Sequence, residues 1–293
     1  MVESQHMMMF LEAPKGCYLL GEEISDGAQG IVFNVIHTIS ERKYVAKITE
    51  IHHEAKKERF INEINILQKL KGCKRVIQLK DHFIFENKGV VILEKMANDL
   101  MSVLESNTNS ITSNRRRLKI FHSIVKAVKG LHKKGIAHLD LKPENILISS
   151  DLKKVKLCDF GNSRILSNDC MISNSVGTML YSAPEIHNNT YYDGMKADMW
   201  SLGILWHVLV TNHWPFECAA EQDVLKTVAL GNITYHSSMG ENQVKICDLM
   251  LQFDPQVRCD SIELASILKH EFEGRYTKKI QLPKFFSGRL RST

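Results

Sequence analysis

His138-Leu139-Asp140-Leu141-Lys142-Pro143-Glu144-Asn145, followed by Asp159-Phe160-Gly161 fourteen residues after its Asn, is the stretch on which the reading of this chain turns. Three polar residues, Asp140, Asn145 and Asp159, recur there at intervals that suit phosphoryl chemistry. A carboxylate at Asp140 can accept the proton of an attacking hydroxyl, while Asn145 and Asp159 offer oxygen ligands for Mg²⁺ on nucleotide phosphates. Turn chemistry explains the Asp, Asn and Pro one at a time, but not their joint spacing.

Upstream, Ile24-Ser25-Asp26-Gly27-Ala28-Gln29-Gly30-Ile31-Val32 contains two glycines, which let backbone N–H groups approach phosphate oxygens where a side chain would block them. Fifteen residues beyond Val32, Lys47 ends the apolar run Tyr44-Val45-Ala46-Lys47 and is expected to point inward. Short β-branched runs at Tyr18–Leu20, Ile31–Ile36, Tyr44–Ile48, Ile77–Leu79 and Val90–Leu93 read as strands. A helix over Glu58–Leu70 interrupts them, with Phe60, Ile64 and Leu67 on an apolar face flanked by Ile61 and Leu70. Glu63 flanks that face and is the preferred carboxylate partner for Lys47. Glu54 and Glu58, set among Lys56, Lys57 and Arg59, are the alternatives. After Ala97 amphipathic helices are expected near 115–134, 197–211, 221–230, 241–252 and 261–269.

The pattern HxDxKxxN followed by DFG resembles the catalytic and metal-binding loops of eukaryotic-type protein kinases. The resemblance spans roughly residues 18 to 272 and implies an α+β, bilobal fold: a small antiparallel β-sheet lobe with one helix and a larger, mainly helical lobe. It implies ATP and Mg²⁺ as cofactors, with Asp140 as the base, Lys142 steadying the transferred group, and Asn145 and Asp159 holding the metal. Lys47, oriented by Glu63, would hold the α- and β-phosphates. Ile24, Gly27, Gly30, Val32, Val45 and Leu147 would surround the nucleotide. Leu93 would be the gatekeeper, Glu94 and Met96 would offer backbone hydrogen bonds, and Asp99 would reach the ribose.

Gly177-Thr178-Met179-Leu180-Tyr181-Ser182-Ala183-Pro184-Glu185 is similar to the family's peptide-docking segment, with Thr178 implied to bond Asp140 and Lys142. Together with Lys142, that segment implies a protein serine/threonine substrate. Asp198-Met199-Trp200-Ser201-Leu202-Gly203 resembles the start of the central helix of the larger lobe, whose Asp would accept catalytic-loop N–H groups. Asp254-Pro255-Gln256-Val257-Arg258 supplies an Arg implied to pair with Glu185.

The chain departs from the family at three places. Ser25 replaces the first loop glycine, Val45 stands where Ala is usual, and Leu139 replaces an Arg that reads activation-segment phosphate. Leucine cannot bind phosphate, so activity is expected not to depend on phosphorylation at Ser163, Ser167, Ser173 or Ser175. Myosin light-chain kinases share HLDLKPEN, so Leu139 is compatible with transfer. Ser25 and Leu139 leave open a pseudokinase, a nucleotide-binding scaffold without transfer. A small-molecule kinase is the third alternative, opposed by the docking segment. Glu144 and Asp99 imply a mild preference for basic residues flanking the target. The unconventional nucleotide loop also resembles virus-encoded kinases of the baculovirus type, which implies an arginine-rich DNA-packaging protein among the substrates.

With 44% apolar and 24% charged residues in 293, the composition is that of an ordinary globular protein. Its seven cysteines form no CxxC pair, which indicates neither a disulfide framework nor a zinc site, and no apolar run reaches membrane-spanning length. A cytoplasmic or nuclear location, no membrane partner and no direct nucleic-acid binding are expected. The expected organisation is an extension at 1–16, a small lobe at 17–93, a hinge at 94–98, a large lobe at 99–273 and a basic tail at 274–293, read either as flexible or as a strap. The basic cluster Arg115-Arg116-Arg117, with Lys119, Lys126, Lys129, Lys133 and Lys134, reads as one face of a helix.

Overall fold

A computed structural model describes residues 10–272, apart from 28–29, 107–110, 112, 168–169, 174–176, 189–190, 217–222, 224–225 and 229–232. The first lobe is a six-stranded antiparallel sheet built from β1 (Phe10–Ala13), β2 (Gly16–Gly27), β3 (Gly30–His37), β4 (Lys43–Glu50), β5 (Leu79–Phe85) and β6 (Lys88–Glu94) in the order β1-β2-β3-β4-β6-β5. Residues 10–13, placed by the sequence in an extension, are its edge strand: Leu11 pairs with Tyr18 and Glu12 with Cys17. The strand expected at 77–79 begins only at Leu79, because Ile77 hydrogen-bonds across to Leu157 of the other lobe instead.

Helix α1 (Glu54–Lys69) packs on this sheet through Phe60, Ile64, Ile66 and Leu67. Phe60 lies so close to β6 that a Cβ at Gly89 would strike its ring. Phe60, Ile64, Leu67 and Leu70 are buried as expected, but on the flanks Ile61 is 43% exposed while Ile66 and Glu63 are buried. A hydrophobic run of Phe60, Ile61 and Ile64 does not say which flank the sheet covers, and here the sheet covers the Glu63 flank.

The larger lobe contains β7 (Asn98–Asp99), α2 (Leu100–Glu105), α3 (Asn114–His132), β8 (Ile136–Ala137), β9 (Ile146–Ile148), β10 (Val155–Leu157), β11 (Arg164–Ile165), β12 (Met171–Ile172), α4 (Pro184–Asn188), β13 (Tyr192–Asp193), α5 (Gly194–Thr211), α6 (Glu241–Met250) and α7 (Ser261–Phe272). Ser113 caps α3 by accepting from Arg116 N–H, and α3 buries Ile120, Phe121, Ile124, Val125, Val128 and Leu131. Asp193 caps α5, accepting from Met195 and Lys196 N–H at 2.8 and 3.1 Å. Nearly every side chain of α5 is buried, so it is the axle around which the lobe packs, and polar groups on it must find partners inside. The helix expected near 221–230 and the tail at 274–293 lie largely or wholly outside the described residues. No helix among the described residues is long and apolar enough to cross a membrane.

Candidate active site

Antiparallel register brings the first half of the site together. Val32 lies opposite Lys47 and Val45 opposite Leu93, so Val32, Val45, Lys47 and Leu93 share one face of the sheet. Lys47 Nζ donates to Glu63 Oε1 and Oε2 at 3.1 and 3.0 Å, and to Asp159 Oδ1 at 2.9 Å. Burial alone would lower the Lys47 pKa, but Glu63 and then Asp159 outweigh it and hold the ammonium above its ordinary range. Burial raises the Glu63 pKa, with Lys47 opposing, whereas at Asp159 the lysine prevails over burial and the pKa falls. Glu54 and Glu58, the alternative partners, are exposed.

The loop above this face is described at its two glycines. A Cβ at Gly27 would meet nothing within 4 Å, whereas Gly30, at φ +123°, would drive one into the Ile48 carbonyl. Ile24 in β2 is 50% exposed. Leu147 is half-buried and pairs with Asp99, joining β9 to β7. Glu94 ends β6 with its carboxylate accepting from Gln78 N–H at 2.8 Å and from Lys156 Nζ. Met96 is half-buried beyond it. Asp99 differs from expectation. Its two carboxylate oxygens accept from Ser102 N–H at 2.8 Å and Ser102 Oγ at 2.6 Å, capping α2, so a ribose contact would compete with the cap.

The second half of the site is assembled by Asp198 of α5. This wholly buried carboxylate accepts from His138 N–H at 2.7 Å, Leu139 N–H at 2.8 Å and His132 Nε2 at 2.9 Å. Those bonds hold Leu139 in the left-handed region, at φ +64°, with its side chain buried. The His138 ring faces the Cys158 carbonyl through Nε2 at 3.0 Å and Asp140 N–H through Nδ1 at 3.3 Å, which requires the Nε2–H tautomer. Phe160 packs against this ring in a tilted arrangement, with centroids 5.1 Å apart and planes at 54°. Asp159 is itself left-handed at φ +59°, which turns its carboxylate toward Lys47. Cys158 beside it is half-buried, with its thiol pKa pushed up by the burial of the sulfur.

Asp140 is the meeting point. Its Oδ1 accepts from Thr178 N–H at 3.1 Å and Thr178 Oγ1 at 2.8 Å. Its Oδ2 lies 3.2 Å from Asn145 Nδ2, 3.4 Å from Asn162 Nδ2 and 3.5 Å from Lys142 Nζ. Lys142 Nζ in turn donates to Thr178 Oγ1 at 2.7 Å. Asn145 spends its Nδ2 on the carbonyl and carboxylate of Asp140, and its amide oxygen has no hydrogen bond among the described residues. Asn162 is a contact that sequence reading missed. It follows Asp159-Phe160-Gly161 directly, but no local pattern marks it.

Glu185 and Arg258 meet beneath the docking segment in two parallel bonds of 2.6 and 3.1 Å, both residues buried. Ser163 proves unavailable for modification: it is fully buried and donates to the His138 carbonyl at 3.0 Å. Ser173 is exposed, and Ser175 lies outside the described residues.

Residues 18–273 match the family described as the protein kinase domain. The chain belongs to that family. It is 33% identical over 258 residues to the protein kinase domain-containing protein ppk9 of Schizosaccharomyces pombe, covering 87% of this chain and 47% of that protein. It is 30% identical over 276 residues to the probable serine/threonine-protein kinase fhkE of Dictyostelium discoideum, covering 85% and 37%. Human serine/threonine-protein kinase D2 matches at 33% over 199 residues, covering 67% and 22%. The chain thus spans less than half the length of these relatives, and the shared part is the kinase domain.

Proposed function

We propose that this kinase domain transfers the γ-phosphoryl group of ATP to serine or threonine hydroxyls of proteins. The observation that carries the reading is the placement of Thr178 Oγ1 between Asp140 Oδ1 at 2.8 Å and Lys142 Nζ at 2.7 Å. A docking-segment hydroxyl thereby fixes both the proton acceptor and the cation that faces the transferring group. The names of the relatives support the same substrate class.

Asp140 accepts the proton of the substrate hydroxyl as the oxygen attacks, its carboxylate held in one orientation by Thr178, Asn145 and Asn162. Lys142, 3.5 Å from that carboxylate, counters negative charge on the moving phosphoryl group. Lys47, clamped by Glu63, grips the non-transferred phosphates, and the open side of Gly27 leaves room for backbone N–H groups to approach them. Asp159 and the amide oxygen of Asn145 form a hard-oxygen donor pair that fits Mg²⁺, which would neutralise phosphate charge when bound.

Leu139 supports a site assembled without activation-segment phosphate. Its backbone is fixed by Asp198 and its side chain is buried, so the loop is ordered by an internal carboxylate. Glu144 is exposed next to the catalytic loop and favours a basic residue near the target, as in an arginine-rich protein. Asp99 contributes less, being occupied as a cap.

The test is transfer of label from ATP to a basic protein mixture by wild type and Asp159→Ala. Labelled phosphoserine or phosphothreonine that disappears in the variant supports the reading. Nucleotide binding without transfer in the wild type would make the domain a scaffold, and label on small molecules alone would assign it another substrate class.

A further inference from the structure

Arg75, Lys126, Lys129 and Lys269 come from three separate elements, with α3 packed along α7, and Lys126 lies close enough to the other three to be repelled by each. Lys126 and Lys129 lie on α3, Lys269 near the end of α7, and Arg75 on the loop before β5. The framework that holds them is rigid. Leu157 N–H bonds the Arg75 carbonyl at 2.9 Å, and His132 of α3 bonds Ser261 of α7 at 3.1 Å. None of the four forms an ion pair among the described residues. Beneath them lies His122, buried on the same face of α3, with Nε2 lacking any partner among the described residues.

The cost of the arrangement is electrostatic. Burial first, then Arg75, Lys269 and Lys129, lower the Lys126 pKa. Burial and then Lys126, with smaller repulsion from Arg75 and Lys269, push His122 down to about 4. A fold that gathers like charge around a buried neutral ring is destabilised locally unless an anion settles there.

We propose that Arg75, Lys126, Lys129 and Lys269 form a docking surface for an acidic segment of a protein partner. The stripe continues along α3 through Lys119 and Lys133, a length of about 21 Å at 1.5 Å rise per residue, matching an extended peptide of roughly six residues. Phe121 lies between Lys119 and Lys126 but is fully buried, so no Trp, Tyr or Phe of the α3 stripe is exposed to stack a base, which disfavours single-stranded nucleic acid. The long-range field points the same way. Six of the 38 basic and one of the 33 acidic residues follow Phe272, so residues 1–272 carry 32 of each sign and no net charge. None of residues 1–293 supplies such a segment, since no acidic run among them is longer than Glu22-Glu23.

Binding of labelled octaglutamate to the full chain, followed by fluorescence anisotropy at low salt, tests this independently of catalysis. Saturable binding is expected, weakened at least tenfold by K126E/K269E and unchanged by K153E/K154E in the exposed turn after β9. Because K126E/K269E relieves repulsion, its thermal midpoint should not fall; K126Q/K269Q, with intermediate weakening, guards against misfolding. Absence of saturable binding, equal binding by K126E/K269E, or tighter binding of an octathymidylate would overturn the proposal.

Discussion

Arg258 grips Glu185 through two parallel hydrogen bonds of 2.6 and 3.1 Å, with both side chains removed from water. The guanidinium also donates to the Gln252 and Lys196 carbonyls and lies 5.2 Å from the centre of the Trp200 ring. Deleting one member leaves the other as an uncompensated buried charge. Glu185→Ala is therefore expected to cost about 3–5 kcal/mol in urea unfolding, whereas replacing both members by apolar residues of similar volume should cost much less than the two single changes together.

Asp140→Asn keeps the size of the side chain but removes the carboxylate proposed above as the proton acceptor. Turnover should fall by roughly 10²- to 10⁴-fold while the unfolding midpoint changes little, which single-turnover kinetics beside thermal melting would establish. A fall in turnover matched by loss of the fold would assign Asp140 a structural part only.

Gly177 sits at φ +102°, and a Cβ there would run into the Leu139 carbonyl. Gly177→Ala must shift the docking segment away from the catalytic loop, separating Thr178 from Asp140. The expected signature is a raised KM for protein substrate together with a reduced kcat, at a stability cost of about 1–2 kcal/mol for the left-handed backbone.

Ser173→Ala combined with Ser175→Ala should retain turnover, because Leu139 offers phosphate no partner. Loss of turnover in a variant that still folds would show that phosphate on this segment acts through other groups. Arg164, half-buried in β11 and donating to the Asn162 and Ser163 carbonyls, would be the first to examine.

Acid should destabilise the protein through its buried histidines. His207 donates from Nδ1 to the His213 carbonyl at 2.7 Å and accepts His236 N–H on Nε2 at 3.2 Å, so an added proton has nowhere to go. Burial lowers its pKa, and burial with Lys126 lowers that of His122 from 6.5 to about 4. Because both folded-state values lie below the unfolded value, stability is complete above about pH 6.5 and is lost as pH falls toward 4. Urea midpoints measured between pH 8 and 4 should drop across that window, and less steeply for His122→Met.

Much of this arrangement is legible in the sequence because its parts are local. The spacing in HLDLKPEN places Asp140 and Asn145 close together in the chain, and the alternation of an apolar strand turns Lys47 to the face it shares with Val45. What was not legible depends on which surfaces meet. The sequence of α1 contains three candidate carboxylates, of which its apolar face already favours Glu63, but only the docked sheet buries Ile66 in place of Ile61. Asp99 stands at a position with two uses, a cap and a ligand contact, and only the fold shows the cap, through its bonds to Ser102. Ser163 looks like any loop serine until its hydroxyl is found pointing at a buried carbonyl.

The carboxylate of Asp198 is anchored in the most deeply buried helix, yet it holds the amides of His138 and Leu139. Those two protons are therefore released only when α5 itself comes apart, so in native-state hydrogen exchange they should report the free energy of global unfolding. A surface loop would ordinarily breathe many times before the core does. Here the backbone of the loop that carries Asp140 is tied to the molecule's centre and should exchange with the core rather than with the surface.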